Sequence, residues 1–349
     1  MKKTGNFCIF SAILLQLLIA PILAGQTHQL IIQPEDGRRA VVETINNAKS
    51  SVDITIYEIN DPQINAALLA AKKRGVKVRI IYNYYSFVDA GRIPRSQEAI
   101  DSFISCGIQV KKASSRYEIT HQKSITADEE KSIVMTFNLL PDYFMQTRDF
   151  GILTTDKKEV GEIKQVFEAD WNYLPAAVTV PSLIWSPSNA RKKILNLISS
   201  ARDTLDIYNE EIQDEECINA LIDAARRGVK VRFISAKLER SGEDLNARAR
   251  YMLNANGVRA RCGTSLYIHA KIILSDYGRY NAVAFVGSQN FSRVSLDRNR
   301  ELGILVTEPE ILQKLQSVFQ ADWEREQHRS FILKEGFSSC PYFFISSLR

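Results

Sequence analysis

The feature that most constrains this chain is an internal duplication. At a shift of 153 residues, QINAALLAAKKRGVKVRI at 63–80 aligns with ECINALIDAARRGVKVRF at 216–233. A shorter copy supports it, VFEADW at 166–171 against VFQADW at 318–323. A match of this length is the repeat of a whole domain. The 349 residues suffice for two such domains, each able to bury its own core.

The repeat fixes the predicted domain boundaries, because the second copy must begin after the first has closed. We predict a first domain over residues 26–177 and a second over 178–330. A C-terminal tail over 331–349 has no counterpart in the first half.

Within the first copy, helical and extended patterns alternate. Residues 38–49 and 64–74 have the apolar spacing of helices, the second of which Gly75 ends, and 52–57 and 76–82 are apolar, β-rich runs. Strands that alternate with helices of this length favour an α/β sandwich with a largely buried sheet.

The N-terminus has a different composition from the rest. Lys2 and Lys3 precede an apolar run over 7–23, and the small residues Ala24 and Gly25 follow it. This order is typical of a secretory signal peptide, here residues 1–25, and predicts an exported protein, periplasmic or secreted. An uncleaved membrane anchor is the alternative.

Charge and cysteines add two constraints. The net charge of +5 falls to +3 without Lys2 and Lys3, which is too mild to predict nucleic-acid binding from charge alone. In an exported protein, the cysteines beyond the apolar run could form two disulfides with three possible pairings. They are Cys106, Cys217, Cys262 and Cys340.

Two short motifs carry the chemistry. One is His121-Gln122-Lys123 followed by Asp128, and the other is His269-Ala270-Lys271 followed by Asp276. A histidine and a lysine two apart on a strand project from the same face, where they could meet one phosphate together.

Each motif is followed by an asparagine in a polar turn and then by a basic–acidic pair. The turns are Met135-Thr136-Phe137-Asn138 and Gly287-Ser288-Gln289-Asn290, and the pairs are Arg148-Asp149 and Arg300-Glu301.

This pattern, HxKxxxxD followed by GSxN and present twice, resembles the phospholipase D superfamily of phosphodiesterases. The second copy is complete, whereas Met135-Thr136 replaces Gly-Ser in the first. The resemblance implies two homologous α/β sandwich domains packed about a pseudo-twofold axis. It also implies one active site at their junction, built from both motifs.

The resemblance further implies how the residues divide the work. A phosphodiester needs a nucleophile, an acid for the leaving oxygen and positive charge around the nonbridging oxygens. His121 is expected to attack and become phosphohistidine, and His269 to protonate the leaving alcohol. The expected phosphate ligands are Lys123, Lys271, Asn138, Asn290, Thr136 and Ser288.

Four acids complete the expected site. Asp149 and Glu301 stand where the family places carboxylates that orient the imidazoles, 28 and 32 residues beyond His121 and His269. Asp128 and Asp276 lie seven residues past each histidine, which predicts the opposite strand face and a structural role. No metal or cofactor is expected, because this cationic set does the work that a metal would do.

Other polar residues leave alternatives open. Tyr57-Glu58 and Glu210-Glu211 end equivalent strands, so they either contact substrate or are solvated acids. His28 and His328 have no such context and are interpreted as surface residues.

The leading expectation is an exported, metal-independent phosphodiesterase of phospholipase D type. It would hydrolyse phospholipid head groups or transfer the phosphatidyl group to an alcohol, as a monomer in transient contact with a membrane surface. The alternatives are an endonuclease that uses the same chemistry on DNA or RNA, a cardiolipin synthase-like transferase, and a noncatalytic phosphate-binding module.

Overall fold

The computed structural model describes residues 27–84 and 95–334, with side chains up to residue 326. The predicted signal peptide, His328 and Cys340 therefore lie outside what is described. In the described part, no helix is long and apolar enough to span a lipid bilayer.

The first half forms one sheet flanked by helices. Its strands lie in the order β1-β7-β6-β5-β2-β3-β4. They are β1 His28–Gln33, β2 Ser51–Ile56, β3 Lys77–Tyr82, β4 Gln109–Lys112, β5 Ser124–Ala127, β6 Lys131–Met135 and β7 Thr147–Thr154. The helices are α1 Arg39–Asn46, α2 Pro62–Lys73, α3 Gln97–Ser105 and α4 Lys157–Trp171, with a 3-10 turn at Pro141–Phe144.

The second half repeats this sheet strand for strand, in the order β8-β17-β16-β15-β9-β10-β13. These strands are β8 Leu183–Ser186, β9 Thr204–Asn209, β10 Lys230–Ser235, β13 Arg259–Cys262, β15 Lys271–Ser275, β16 Val283–Gly287 and β17 Glu301–Val306. A hairpin is formed by β11 Glu239–Arg240 and β12 Glu243–Asp244, and β14 is Tyr267–Ile268. The helices are α5 Ala190–Ser200, α6 Glu215–Arg226, α7 Ala247–Ala255, α8 Arg293–Asp297 and α9 Pro309–Lys334. The predicted fold of two homologous α/β halves is confirmed.

The duplicated segment shows why equal sequences give equal elements. Asp61 caps α2 by accepting bonds from the N–H groups of its first turn, and Asp214 does the same for α6. Both helices end before glycines in the left-handed region, Gly75 at φ 92° and Gly228 at φ 93°. Each glycine lets the chain turn back into the next strand.

The three largest apolar clusters of the described residues form the core, one inside each half and one between them. Ile54 and Leu68 lie in the first cluster, and Ile207 and Leu221 in the second. The cluster between the halves includes Phe150 and Ile152 from the first half with Trp185, Tyr208 and Ile272 from the second. The shared cluster fixes how the two sheets face each other.

Backbone exchange reinforces this packing. β14 of the second half pairs in parallel with β7 of the first, and Thr120 of the first half bridges to Arg300 of the second. Two buried ion pairs cross in the same reciprocal way. Arg148 Nε lies 2.7 Å from Asp322 Oδ2, and Arg300 Nε lies 2.7 Å from Asp170 Oδ2. In both pairs an arginine of one half binds an aspartate of the other half, and the two arginines occupy equivalent positions in the repeat. Such reciprocal contacts are expected of two units related by a twofold axis.

Two details differ from the sequence predictions. The tail boundary at residue 330 falls inside α9, which continues to Lys334. The interpretation of His28 as a surface residue is wrong, because its side chain is only 10% exposed and pairs with Glu159 and Glu308. Burial opposes protonation of His28, but its hydrogen bonds to the carboxylates of Glu159 and Glu308 outweigh burial and raise its pKa to about 9.

Of the four cysteines that could form disulfides, three lie in the described part of the chain. Cys106, Cys217 and Cys262 form no disulfide with one another there.

Candidate active site

The two histidine–lysine pairs lie in extended backbone at the junction of the halves. All four side chains are buried: His121, Lys123, His269 and Lys271. The N–H of His121 donates to the carbonyl of Arg300, and that of His269 to the carbonyl of Arg148. Each motif is therefore positioned by a strand of the other half.

The lysine side chains fold back onto their own motifs. Lys123 Nζ lies 2.7 Å from the carbonyl oxygen of His121, and Lys271 Nζ lies 2.5 Å from that of His269. Each lysine nitrogen is thus bound to the backbone of the histidine two residues before it.

The orienting acids come from the opposite halves. Glu301 Oε2 lies 3.0 Å from Nδ1 of His121, and Asp149 Oδ1 lies 2.9 Å from Nδ1 of His269. A carboxylate at Nδ1 holds the proton on that nitrogen and leaves Nε2 for chemistry. Sequence reasoning identified both acids but not this crossed pairing.

Hydroxyl and amide groups fix the two carboxylates. Thr136 and Thr147 donate to Asp149, and Ser295 and Asn299 donate to Glu301. Sequence analysis did not identify Thr147, Ser295 and Asn299, because a single threonine, serine or asparagine belongs to no recognisable motif.

Thr136 and Ser288, predicted as phosphate ligands, use their hydroxyls inside the protein. Thr136 donates to Asp149, and Ser288 donates to the carbonyl of Leu302 at 3.4 Å and accepts from its N–H at 3.2 Å. Both side chains are fully buried in β-sheet packing. We therefore assign them to support of the site rather than to phosphate binding.

The two asparagines of the turns each have a side-chain oxygen that is free to accept a hydrogen bond. Asn138 and Asn290 are buried, and the side-chain oxygen of each lacks a hydrogen-bond partner within the described part of the chain. A buried polar atom without a partner costs free energy, which a ligand that offers a donor would recover.

Asp128 and Asp276 lie away from these groups. Asp128 accepts bonds from the N–H groups of Lys49, Ser50 and Ser51, and Asp276 does the equivalent in the second half. They tie the turn after each motif strand to the start of the neighbouring strand.

Burial and a neighbouring positive charge lower the pKa of the first histidine, His121. Desolvation, followed by the charge of Lys123, lowers the pKa of His121 to about 4 even though Glu301 acts in the opposite direction. The imidazole of His121 is therefore neutral at neutral pH. The ring of Tyr57 packs edge-on against it at 5.0 Å between centroids.

The second histidine has a carboxylate at each nitrogen. Besides Asp149 at Nδ1, Glu210 Oε2 lies 3.7 Å from Nε2 of His269. Glu210 also accepts a hydrogen bond from Lys271 Nζ at 2.8 Å. Of the two interpretations left open for this residue, the structure favours a place among the site groups.

The neighbouring acids respond to the same burial. Glu211 has a pKa raised to about 7, through desolvation and then the charge of Glu210. Desolvation also raises the pKa of Glu58.

A cleft of about 360 Å³ opens onto this arrangement. His121 of the first motif and Asn290 of the second both line it, together with Glu211, Arg293 and Asn299. The cleft thus connects the histidine of the first motif with the turn that follows the second motif.

The comparisons with known proteins agree with this architecture. The protein family described as "Cardiolipin synthase, PLD-like domain" matches residues 41–171 and 194–323. Cardiolipin synthase A from Pseudomonas syringae is 23% identical over 343 residues, which cover 87% of this chain and 70% of that protein. Phospholipase D from Rickettsia prowazekii is 25% identical over 156 residues, or 45% of this chain and 73% of that protein.

Two solved structures share the fold over most of the chain. Phosphatidylserine synthase from Haemophilus influenzae matches with a TM-score of 0.65 at 12% identity, over 86% of each chain. Polyphosphate kinase from Porphyromonas gingivalis matches with a TM-score of 0.66 at 17% identity, over 85% of this chain and 50% of that one. At these identities the likeness concerns the fold alone.

Proposed function

Because this chain belongs to the phospholipase D superfamily, in the family of the cardiolipin synthase PLD-like domain, we propose that it cleaves phospholipid phosphodiesters through a phosphohistidine. The phosphatidyl group then passes to water or to an alcohol. The observation that carries the proposal is the crossed site, in which each buried imidazole is oriented by an acid of the other half.

His121 is the proposed nucleophile. Its pKa of about 4 keeps the imidazole neutral, and Glu301 at Nδ1 leaves the lone pair of Nε2 free. Nε2 attacks phosphorus, a P–N bond forms, and the P–O bond to the head-group alcohol breaks. Lys271 and Lys123 are the proposed partners of the nonbridging oxygens, where negative charge builds up. Burial and then the charge of Lys271 lower the pKa of Lys123, so an incoming phosphate supplies the negative charge that stabilises its protonated form.

His269 is the proposed acid and base. The carboxylates of Asp149 and Glu210 lie beside its two ring nitrogens, and Nε2 is the atom that would donate a proton to the leaving alcohol. In the second step neutral His269 takes a proton from water or an acceptor alcohol. The new oxygen attacks phosphorus, and the P–N bond to His121 breaks.

Either water or an alcohol can accept the phosphatidyl group. The relatives that match most of this chain carry the name cardiolipin synthase, while a shorter match carries the name phospholipase D. We propose that alcohol and water compete for one phosphohistidine, with the alcohol favoured at a membrane rich in glycerol head groups.

Product analysis tests this function. The purified full-length protein, with EDTA present, is offered phosphatidylglycerol vesicles, phosphatidylcholine vesicles and plasmid DNA in parallel. We expect released head group, and cardiolipin from phosphatidylglycerol, in wild type but not in His121→Asn or His269→Asn. DNA nicking without lipid turnover would identify a nuclease instead, and no turnover at all would favour a phosphate-binding module.

The roles of the two histidines are tested by trapping. Rapid acid-free denaturation during turnover of lipid labelled with ³²P should leave the label on the peptide that contains His121. Label on the peptide of His269 would reverse the assignment.

We also propose that the protein is exported and acts as a monomer. The signal-peptide pattern of residues 1–25 supports export. The presence of both motifs in one chain supports a monomer. Cell fractionation and light scattering test these two points.

A further inference from the structure

The carboxylate of Glu210 lies where a phosphate oxygen is expected. Its Oε2 atom is 2.8 Å from Lys271 Nζ, 3.5 Å from Asn290 Nδ2 and 3.7 Å from His269 Nε2. These three groups are the lysine and the histidine of the second motif and the asparagine of the turn after it. We call such a set of lysine, histidine and asparagine a half-site, and the first half of the chain has the equivalent set. An oxygen of a protein carboxylate therefore occupies the anion position of this half-site.

This position of Glu210 is secured from its other side. The hydroxyl of Tyr267 donates to Oε1 at 2.8 Å, and the carboxylate is only 14% exposed. Burial opposes ionisation, but the charges of Lys271 and His269 outweigh it and hold the pKa of Glu210 well below its usual range. The side chain is an anion held in place by donors.

The first half-site has a different residue at the equivalent place. At the repeat shift of 153, Tyr57 corresponds to Glu210. The ammonium group of Lys123 lies 5.3 Å from the centroid of the Tyr57 ring. One half-site therefore faces an incoming phosphate with a lysine beside a neutral ring, and the other with a lysine beside a carboxylate.

The charge of Glu210 bears unequally on different phosphates. A phosphodiester carries one negative charge, whereas a phosphomonoester carries about 1.5 to 2 at neutral pH. The repulsion between a fixed carboxylate and a ligand grows in proportion to the charge of the ligand. A carboxylate among the phosphate ligands thus weakens binding of the monoester more than that of the diester.

We propose that Glu210 is a specificity residue that selects singly charged phosphodiesters over doubly charged phosphomonoesters. The inference rests on the proposed function in that the site binds phosphate through these groups. Hydrolysis turns the first kind of ligand into the second, so the same repulsion speeds release of a phosphomonoester product. Inorganic phosphate, which is also doubly charged near neutral pH, is kept out for the same reason.

Binding of two small anions separates this role from a structural one. Calorimetry on the full-length protein at pH 7.5 with EDTA compares inorganic phosphate with dimethyl phosphate. The variants are Glu210→Gln, which removes the charge, and Glu210→Tyr, which installs the residue of the first half. Glu239→Gln is the matched control, because it removes one carboxylate that is 53% exposed and lies on the β11–β12 hairpin.

Both Glu210 variants should bind the anions more tightly, but to different extents. Because the repulsion is proportional to ligand charge, a gain of about threefold for dimethyl phosphate implies about tenfold for inorganic phosphate. The control should leave both dissociation constants within about twofold of wild type. Melting curves establish that each variant is folded.

Two outcomes would overturn the inference. One is an equal gain for the two anions, which would mean that Glu210 blocks the site by its volume. The other is an unchanged or weaker affinity for inorganic phosphate in both variants. Anion binding can be measured in a protein that turns over no lipid. A larger gain in affinity for inorganic phosphate than for dimethyl phosphate, without any lipid cleavage, would therefore support the role of Glu210 and contradict only the proposed function.

Discussion

The two half-sites share one geometry but differ in charge. His121 and His269 each meet a carboxylate of the other half at Nδ1, at 3.0 and 2.9 Å. Around Nε2 they diverge, since Tyr57 packs on the first ring and Glu210 lies beside the second. Duplication thus provided two imidazoles with the same orienting contact and different neighbours, a neutral ring in one half and a carboxylate in the other.

The turns after the motifs differ in volume rather than in charge. A Cβ atom at Gly287 would lie 2.5 Å from Gln289 Oε1, 2.6 Å from Gly303 Cα and 2.7 Å from Phe285 Cζ. Met135 occupies the equivalent place in the first half, where Ile133 stands in place of Phe285. The first half therefore combines a larger residue in this turn with a smaller neighbour at Ile133, while Phe137 stands in place of Gln289.

The largest expected effect comes from removal of either histidine. His121→Asn and His269→Asn should each lower phospholipid turnover by about 10⁴-fold or more. They should differ with bis(p-nitrophenyl) phosphate, whose leaving group needs no acid. We expect His269→Asn to release about one nitrophenol per enzyme in a burst and then stall, and His121→Asn to give no burst.

Stopped-flow absorbance measures this burst. A burst in His121→Asn, with none in His269→Asn, would interchange the two roles.

The crossed ion pairs test the interface next. Arg148→Met and Arg300→Met should each lower the free energy of unfolding by about 3–5 kcal/mol, since Asp170 loses its ion-pair partner and Asp322 keeps only Arg325 and the hydroxyl of Tyr208. Arg148 should cost more, because it also contacts Glu35 at 2.6 Å and the carbonyl of Gln33 at 2.7 Å.

Urea unfolding gives these values. Arg226→Met is the control, since that side chain is 66% exposed, and its effect should stay below about 1 kcal/mol. Equal and small losses in all three variants would contradict a buried, crossed interface.

Exchange of the turn residues tests the volume argument. Gly287→Met should destabilise the fold by about 3 kcal/mol, because its Cβ atom would lie within 3.0 Å of backbone and ring atoms. Addition of Phe285→Ile recreates the pair Met135 and Ile133 of the first half, removes the contact with the ring, and should recover about 1 kcal/mol or more. Thermal melts of the single and double variants suffice, and an additive further loss in the double variant would refute compensation.

The smallest effect concerns a contact that the repeat does not duplicate. His28 joins Glu159 of the first half to Glu308 of the second. Its pKa is raised from 6.5 to about 9, so its stabilisation is complete below pH 6.5 and is lost as the pH rises through 9. His28→Gln should therefore cost about 2 kcal/mol at pH 6 and little at pH 10.

The difference in unfolding free energy between wild type and His28→Gln, measured across this range, tests the sign. A cost that grows with pH would contradict the raised pKa.

Local patterns predicted the fold and most of the site residues. Helix α2 and strand β3 follow the predicted ranges closely because capping residues, apolar spacing and Gly75 all act within a few residues. The crossed acids could not be predicted in this way. The segment that contains Asp149 looks the same whether its carboxylate meets His121 or His269, and only the packing of the halves decides.

The contacts of His28 and Glu210 were not predicted because their partners lie far away along the chain. The partners of His28 lie 131 and 280 residues away, and no periodicity connects them. Glu210 ends a predicted strand, but its contact with Lys271 depends on where the neighbouring strand β15 begins.

The crossed pairing also sets when the protein becomes reactive during its synthesis. His121 leaves the ribosome 180 residues before Glu301, which at usual rates of translation is about 10–40 s. Until then the imidazole lacks the carboxylate that orients it, and His269 is not yet in place. Under the proposed mechanism, a chain that ends before residue 301 therefore lacks the carboxylate that orients His121.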